Sequence, residues 1–290
     1  MQTLLAMWLT LILSFTSVFG LVGDKYKVYE NIRYGEAERD LVTIYVPDTA
    51  YENETNGCIL YIHGGSWQGG EKEDMAPHCK KLAMKGYVTA TMSYSLCNDD
   101  NFGEVTAFTM IDEVDKCIDA IKAFSDEKGL NITKMATSGY SAGGHISMLY
   151  SYSMPEESSI ELAFTANRVG PSDMSADVWH GSYGLASMLA GVKITDEMIA
   201  SGEADEIAAS VSPSAFVTKD SLPSLFAYAG NDPLVTKGNR ESIVKAFDDA
   251  GAEYKLVFFP LSGHGLLLDP VSEIQYYNVL YSYCEQYFGY

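Results

Sequence analysis

One serine in this sequence lies in surroundings that favour chemistry. Ser141 belongs to the run Gly139-Tyr140-Ser141-Ala142-Gly143-Gly144, which has the Gly-x-Ser-x-Gly form of a nucleophile elbow. An apolar, strand-like run meets a helical pattern there, and a turn this sharp strains the serine and tolerates little side-chain bulk beside it. With 25 glycines among 290 residues, the motif also arises by chance, so more distant residues must decide its meaning.

A histidine and an aspartate supply the groups that a serine nucleophile needs. His264 lies between two glycines after the last predicted strand, and Asp232 follows the strand before it. We expect His264 to accept the proton of Ser141 and Asp232 to fix the tautomer of the imidazole. Asp232 also lies in an Asn-Asp-Pro sequence typical of turns, and Asp269 and Asp220 are weaker candidates for the acid.

Glycines also provide candidates for stabilising a negative charge. The oxyanion formed by attack on a carbonyl needs backbone N–H donors in fixed positions. Ala142, the residue after the nucleophile, supplies one donor. Gly64 and Gly65 follow a predicted strand and supply others, because a backbone without side chains can approach closely. Which of Gly64, Gly65 and Ser66 donates stays open.

The other histidines and one tryptophan have less defined roles. Trp67 is a candidate substrate-binding residue, with packing in the core as the alternative. His63 is expected to brace its own loop, and His145 to pack or hydrogen-bond within the helix after the elbow. His78 and His180 follow no strand end, and we expect them to be exposed or to lie in the lid described below.

Strand and helix patterns alternate along the chain and predict an α/β fold. Apolar or alternating runs predict strands at 26–33, 41–46, 58–62, 87–94, 135–138, 162–169, 222–228 and 254–259. Helical patterns cover 75–85, 105–124, 145–152, 240–250 and the segment from 270 onward. This order predicts a mostly parallel sheet with helices on both faces and chemistry at the carboxyl ends of the strands. Residues 174–212 show only short helical patterns and are expected to form a small lid.

Composition excludes several classes of function. The formal charge of −20 disfavours binding to nucleic acid or to anionic lipid surfaces. Five cysteines without a Cys-x-x-Cys pair indicate neither a zinc site nor a thioredoxin-like motif, although an exported protein could pair Cys79 or Cys97. Glu71 stands where a phosphate-binding loop needs lysine. Neither a cofactor nor a catalytic metal is implied.

The N-terminal segment predicts export. Residues 1–23 carry no charged side chain, and residues 4–19 are almost continuously apolar. This length fits a signal peptide better than a membrane span, and it favours a secreted or extracytoplasmic protein without stable membrane contact. The alternative is an uncleaved N-terminal membrane anchor. We expect residues 24–290 to form one domain.

Taken together, the motifs resemble those of the α/β-hydrolase fold esterases. The similarity is greatest to the bacterial feruloyl or acetylxylan esterase-like group, which is related to the hormone-sensitive-lipase-like carboxylesterases. It runs from about residue 36 to the C-terminus and rests on His-Gly-Gly-Ser-Trp at 63–67, Gly-Tyr-Ser-Ala-Gly-Gly-His at 139–145, Ser-Pro at 212–213, Gly-Asn-Asp-Pro at 230–233 and Ser-Gly-His-Gly at 262–265. One departure is that His-Gly-Gly-Ser replaces the longer His-Gly-Gly-Gly form.

The resemblance implies a catalytic triad and an oxyanion hole. Ser141, Asp232 and His264 form the triad, in the chain order that this fold uses. The oxyanion hole then consists of Gly64, Gly65 and Ala142. The expected function is a serine hydrolase that cleaves carboxylic esters of short or carbohydrate-linked acyl groups, the carbohydrate being implied by resemblance alone. The alternatives are an amidase, formamidase or peptidase with the same triad, and a catalytically silent secreted binding protein.

Overall fold

A mostly parallel sheet forms the centre of the computed structural model, which describes residues 25–154, 156 and 158–289. The predicted leader lies outside these residues. The strands within the described part of the chain are β1 (Tyr26–Arg33), β2 (Leu41–Pro47), β3 (Asn56–Ile62), β4 (Val88–Met92), β5 (Ile132–Tyr140), β6 (Glu161–Arg168), β7 (Ser224–Ala229) and β8 (Tyr254–Phe259). They pair in the order β1-β2-β4-β3-β5-β6-β7-β8. Among these described strands, only the pairs β1–β2 and β2–β4 are antiparallel.

Helices cover both faces of the sheet. They are α1 (Ala76–Ala83), α2 (Ala107–Lys128), α3 (Ala142–Ser153), α4 (Gly184–Ala190), α5 (Asp196–Ser201), α6 (Glu203–Ser210), α7 (Lys237–Ala250) and α8 (Pro270–Phe288). Helices α2, α3 and α7 contribute to the core on one face, and α1 and α8 to the core on the other. The predicted fold class is therefore confirmed. No helix among the described residues is both long and apolar enough to cross a membrane.

The predicted elements differ from the observed ones mainly at their ends. Helix α2 begins at Ala107 rather than at 105, because the hydroxyl of Thr106 accepts a hydrogen bond from the N–H of Thr109 and caps the helix. Strand β5 is longer than the predicted run 135–138, since pairing with β3 extends it to both sides. The short helices α4, α5 and α6 lie within residues 174–212, where the lid was predicted.

The turn from β5 into α3 depends on glycines that leave no room for side chains. A Cβ on Gly143 would lie 2.1 Å from the carbonyl oxygen of Ile62 and 2.4 Å from that of His63. A Cβ on Gly139 would lie 2.1 Å from the carbonyl oxygen of Gly143. Backbone atoms cannot move aside as side chains can, so the start of α3 packs directly on the end of β3.

We expect Gly143→Ala to destabilise the fold, because the added methyl group overlaps two backbone carbonyls. Overpacking of this kind costs about 1–3 kcal/mol, and urea unfolding measures it as a lower free energy of unfolding. Gly69→Ala is the matched control, since a Cβ at Gly69 meets its nearest atom at 3.8 Å. Equal free energies of unfolding for Gly143→Ala and the wild type would contradict the close packing.

Candidate active site

The strained serine lies at the carboxyl end of the central strand β5. Ser141 has φ 55° and ψ −121°, a conformation that L residues rarely adopt. Hydrogen bonds on both sides hold it there: its N–H donates to the carbonyl of Arg168 at 2.9 Å, and its carbonyl accepts from the N–H of His145 at 3.1 Å. The elbow conformation predicted from the Gly-x-Ser-x-Gly motif is therefore present. It turns the side chain of Ser141 towards the histidine loop, residues 260–269, which carries His264.

The three predicted triad side chains form a continuous hydrogen-bonded chain. Nε2 of His264 lies 2.9 Å from Oγ of Ser141, and Nδ1 lies 2.8 Å from Oδ2 of Asp232. A carboxylate can only accept, so Nδ1 carries the proton and Nε2 is left as the acceptor that faces the serine hydroxyl. This is the tautomer that a general base needs.

Asp232 is fixed by more than the imidazole. Its side chain is only 3% exposed, and its Oδ1 accepts from the N–H groups of Leu234 at 2.9 Å and Val235 at 3.0 Å. Burial opposes ionisation, but the hydrogen bonds from His264 and from the two N–H groups outweigh it, and the pKa of Asp232 is lowered. The residue thus combines the two roles that the sequence left as alternatives, since the turn holds the same carboxylate that orients the histidine.

The two weaker candidates for the acid lie elsewhere. Asp269 accepts hydrogen bonds from the N–H groups of Leu261 and Ser262 and from the hydroxyl of Ser262. It therefore clamps the base of the histidine loop instead of contacting the imidazole. Asp220 forms an ion pair with Lys219, and both side chains are exposed.

The loop after β3, residues 63–70, carries the predicted oxyanion donors and is called the oxyanion loop. It passes directly beside the elbow. A Cβ on Gly64 would lie 3.2 Å from Cβ of Ser141, so the missing side chain is what permits this approach. In the described part of the chain, the N–H groups of Gly64 and Gly65 donate to no protein acceptor. The N–H of Ala142 opens helix α3, where the first amides have no partner within the helix. The structure thus brings unbonded donors from both segments close to the nucleophile.

A second layer of contacts braces this loop. The hydroxyl of Tyr94 donates to the carbonyl of His63 at 3.1 Å, and the two rings stack with centroids 4.3 Å apart. The guanidinium of Arg39 donates to the carbonyls of Tyr94 and Gly70 and to the carboxylate of Glu71. Nδ1 of His63 lies 2.7 Å from the carbonyl oxygen of Gly64, a contact that confirms the predicted bracing of its own loop. Sequence reasoning missed Arg39 and Tyr94, since neither lies in a motif.

The hypothesis that Trp67 binds substrate is wrong. Its side chain is 3% exposed and points into the core, where Nε1 donates to Nδ1 of His145 at 3.1 Å. His145 in turn donates from Nε2 to the carbonyl of Val211 at 2.8 Å. The hydrogen-bonding role predicted for His145 is confirmed, and burial lowers its pKa to about 4. The chain Trp67–His145–Val211 connects the oxyanion loop, helix α3 and the segment after α6.

His78 also differs from its prediction. It is half-buried between the rings of Tyr61 and Tyr277, and its Nδ1 lies 2.7 Å from the hydroxyl of Tyr277. Burial lowers its pKa to about 4. His180 is exposed, as predicted.

The cysteines form no disulfide bonds in the structure. All five lie among the described residues, and every thiol is free and buried. Cys79 and Cys97, for which pairing in an exported protein was open, are both unpaired. Their packing is that of small apolar side chains in the core.

The strained elbow, the parallel sheet and the Ser–His–Asp chain define an α/β-hydrolase. The chain belongs to the BD-FAE family, an esterase-like group of α/β-hydrolases whose model matches residues 42–246. This confirms the predicted resemblance.

Relatives found by sequence similarity include two kynurenine formamidases. The kynurenine formamidase of Danio rerio is 23% identical over 252 residues, which cover 85% of this chain and 78% of the relative. That of Salmo salar is 26% identical over 254 residues, with the same coverage of 85% and 78%.

Solved structures with the same fold include several esterases. A carbohydrate esterase from gut microbiota superposes with a TM-score of 0.74 at 19% identity, covering 91% of this chain and 98% of that one. Esterase B from Lactobacillus rhamnosis superposes with a TM-score of 0.71 at 18% identity, covering 97% and 94%. An esterase from Thermogutta terrifontis superposes with a TM-score of 0.69 at 18% identity, covering 90% of this chain and 92% of that one. At these identities the similarity establishes the fold.

The buried His145 predicts how stability depends on pH. Its folded-state pKa of about 4 lies below its unfolded value of about 6.5, so the unfolded chain binds a proton more readily. Stability should therefore fall as the pH drops from about 6.5 to about 4, by up to about 3 kcal/mol from this residue. Urea unfolding across this range measures the loss.

The variant His145→Asn isolates this contribution. It has no ionisable group at position 145, while His63 and His78, whose pKa values burial also lowers, remain and contribute equally to both proteins. We expect a lower stability at pH 7.5, because the bonds to Trp67 and Val211 are disturbed, but a flatter decline towards pH 4. Parallel pH profiles for the variant and the wild type would show that His145 is not the titrating group.

Proposed function

We propose that this protein is a serine esterase that acts on short acyl esters, including acyl groups carried by carbohydrates. The observation that carries the proposal is the hydrogen-bonded chain from Ser141 through His264 to Asp232, with free N–H donors beside the nucleophile. The carbohydrate esterase among the structural neighbours supports a sugar as one possible leaving group.

The geometry supports the following sequence of steps. Nε2 of His264 takes the proton of Ser141 as Oγ bonds to the carbonyl carbon of the ester. The resulting oxyanion accepts hydrogen bonds from the N–H of Ala142 and from that of Gly64 or Gly65. His264 then gives its proton to the leaving alcohol oxygen as the C–O bond breaks, which leaves an acyl group on Ser141. Water then gives a proton to the same nitrogen as its oxygen bonds to the acyl carbon. The bond between this carbon and Oγ of Ser141 breaks, Oγ takes the proton back from His264, and the acid leaves.

Asp232 remains ionised throughout this cycle. Its lowered pKa keeps the carboxylate charged at neutral pH, where it stabilises the imidazolium that forms twice per turnover. The N-terminus of α3 adds a positive dipole end next to the oxyanion.

Helices α4, α5 and α6 are proposed to act as the lid over this site. The side chain of Gln68, in the oxyanion loop, contacts Sδ of Met188 in α4 at 3.6 Å. Contact between the lid and the oxyanion loop supports a role of the lid residues in selecting the acyl or alcohol group.

Replacement of the nucleophile tests the proposal directly. Ser141→Ala should abolish hydrolysis of p-nitrophenyl acetate and butyrate and labelling by a fluorophosphonate, because the variant lacks the hydroxyl that is hydrogen-bonded to His264. Ser153→Ala, at the other end of α3, is the matched control and should retain both activities. Full activity in Ser141→Ala would refute the mechanism, and a wild type that resists labelling would favour a silent binding protein.

A panel of esters tests the substrate class. We expect acetyl and butyryl esters to react faster than longer acyl esters, and acetylated xylan and feruloyl esters to be turned over. The assay uses the protein without residues 1–23. A preference for long acyl chains would contradict the short-acyl assignment.

A second candidate function is hydrolysis of an N-formyl amide. Two kynurenine formamidases match 85% of this chain, which favours this activity among the amide-cleaving alternatives. The chemistry needs the same triad, but His264 must protonate a more basic leaving amine.

Matched substrates distinguish the two functions. Phenyl formate and formanilide share the acyl group and the ring, and differ only in the leaving atom. An esterase should show kcat/KM for formanilide about a thousandfold or more below that for phenyl formate, or about 4 kcal/mol in activation free energy. Values within about tenfold of each other would instead assign the protein as a formamidase.

A further inference from the structure

The imidazole of His264 is carried on a loop whose base is fixed by side-chain hydrogen bonds and whose tip is closed by a backbone hydrogen bond from the N–H of Leu266 to the carbonyl of Gly263 at 3.0 Å. At the base, the carboxylate of Asp269 accepts from Leu261 and Ser262, and the hydroxyl of Ser262 accepts from the N–H of Leu268. At the tip, His264 lies between Gly263 and Gly265. Glycines restrict the backbone less than any other residue, so the base alone does not determine where the imidazole points.

Besides Ser141 and Asp232, the side chain of Tyr140 contacts this tip from outside the loop. The hydroxyl of Tyr140 donates a hydrogen bond to the carbonyl of His264, and its ring meets the imidazole edge to face, with centroids 5.6 Å apart at 73°. Tyr140 is the last residue of β5 and directly precedes Ser141. The nucleophile and the histidine loop are therefore connected twice: through the bond between Ser141 and His264, and through Tyr140.

We propose that Tyr140 is a positioning residue that holds His264 at the correct distance from Ser141, an inference that rests on the proposed hydrolase function. The Gly-x-Ser-x-Gly pattern does not specify the residue at position 140, so the elbow turn itself does not require a tyrosine. The contact with His264 explains the tyrosine at this position, which the geometry of the turn does not.

Packing alone does not hold the ring of Tyr140 in place. The ring lines two crevices of about 350 and 340 Å³, and His78 lines both of them as well. Packing therefore does not enclose the ring of Tyr140 completely, although the ring contacts the core beside it. Burial raises the pKa of Tyr140 to about 12, so the hydroxyl remains a donor wherever the histidine acts as a base.

The variant Tyr140→Phe removes the hydroxyl and keeps the ring. We expect kcat for p-nitrophenyl acetate to fall about tenfold or more, because a small displacement of the base slows proton transfer strongly, while KM stays within about twofold. The second-order rate of fluorophosphonate labelling should fall by a similar factor. In proton NMR, the low-field signal of the Nδ1 proton between His264 and Asp232 should broaden.

Tyr283→Phe is the matched control. The hydroxyl of Tyr283 also donates to a backbone carbonyl, that of Ser224 at 3.4 Å, but at the amino end of β7. Both variants should lower Tm by no more than about 4 °C. Only Tyr140→Phe should change kcat, the labelling rate and the low-field signal.

The outcomes separate this inference from the proposed function. If the wild type reacts with the fluorophosphonate and Tyr140→Phe reacts at the same rate, Tyr140 does not position the histidine, although the enzyme is a serine hydrolase. A loss of kcat that Tyr283→Phe shares, or that only follows a larger loss of Tm, assigns Tyr140 a structural role and overturns the proposal. A wild type that does not react overturns the proposed function, and this inference with it.

Discussion

Close contact between backbones is the constraint on which the rest of the site depends. Gly143 lies against the carbonyls at the end of β3, and Gly64 lies against the elbow, so two chain segments meet without side chains between them. The nucleophile and the oxyanion donors are therefore positioned by main-chain atoms, which side-chain motion does not displace. This rigidity suits a site that must present fixed dipoles to a charge that exists only briefly.

The electrostatic environment of the nucleophile depends on the protonation states of the buried side chains around it. Asp232 is buried yet ionised, because three hydrogen-bond donors replace its water. His63 and His145 are buried without a carboxylate partner, and burial lowers the pKa of both, so they stay neutral. Their neutrality leaves the imidazolium of His264 as the positive charge that the buried carboxylate stabilises.

Much of the fold followed from local sequence, and much of the site did not. Strands, helices and the elbow depend on nearby residues, such as Thr106 at the cap of α2 and the glycines around Ser141. The orientation of Trp67 depends instead on its left-handed φ of 60° and on His145, 78 residues away. Arg39 likewise donates hydrogen bonds to Gly70 and Glu71, which lie 31 and 32 residues further along the chain. Such contacts have no local pattern, so the sequence could suggest Trp67 as a substrate contact while the structure buries it.

The hydrogen bond from His145 to Val211 has a consequence for how the family can diversify. The acceptor is a backbone carbonyl, which every amino acid possesses, so this junction constrains the path of the chain and not the identity of residue 211. Exposed residues between 174 and 210 can then change in sequence without affecting this bond, provided that the chain returns to the same point above α3. Variation in the proposed lid is thereby separated from the residues of the triad.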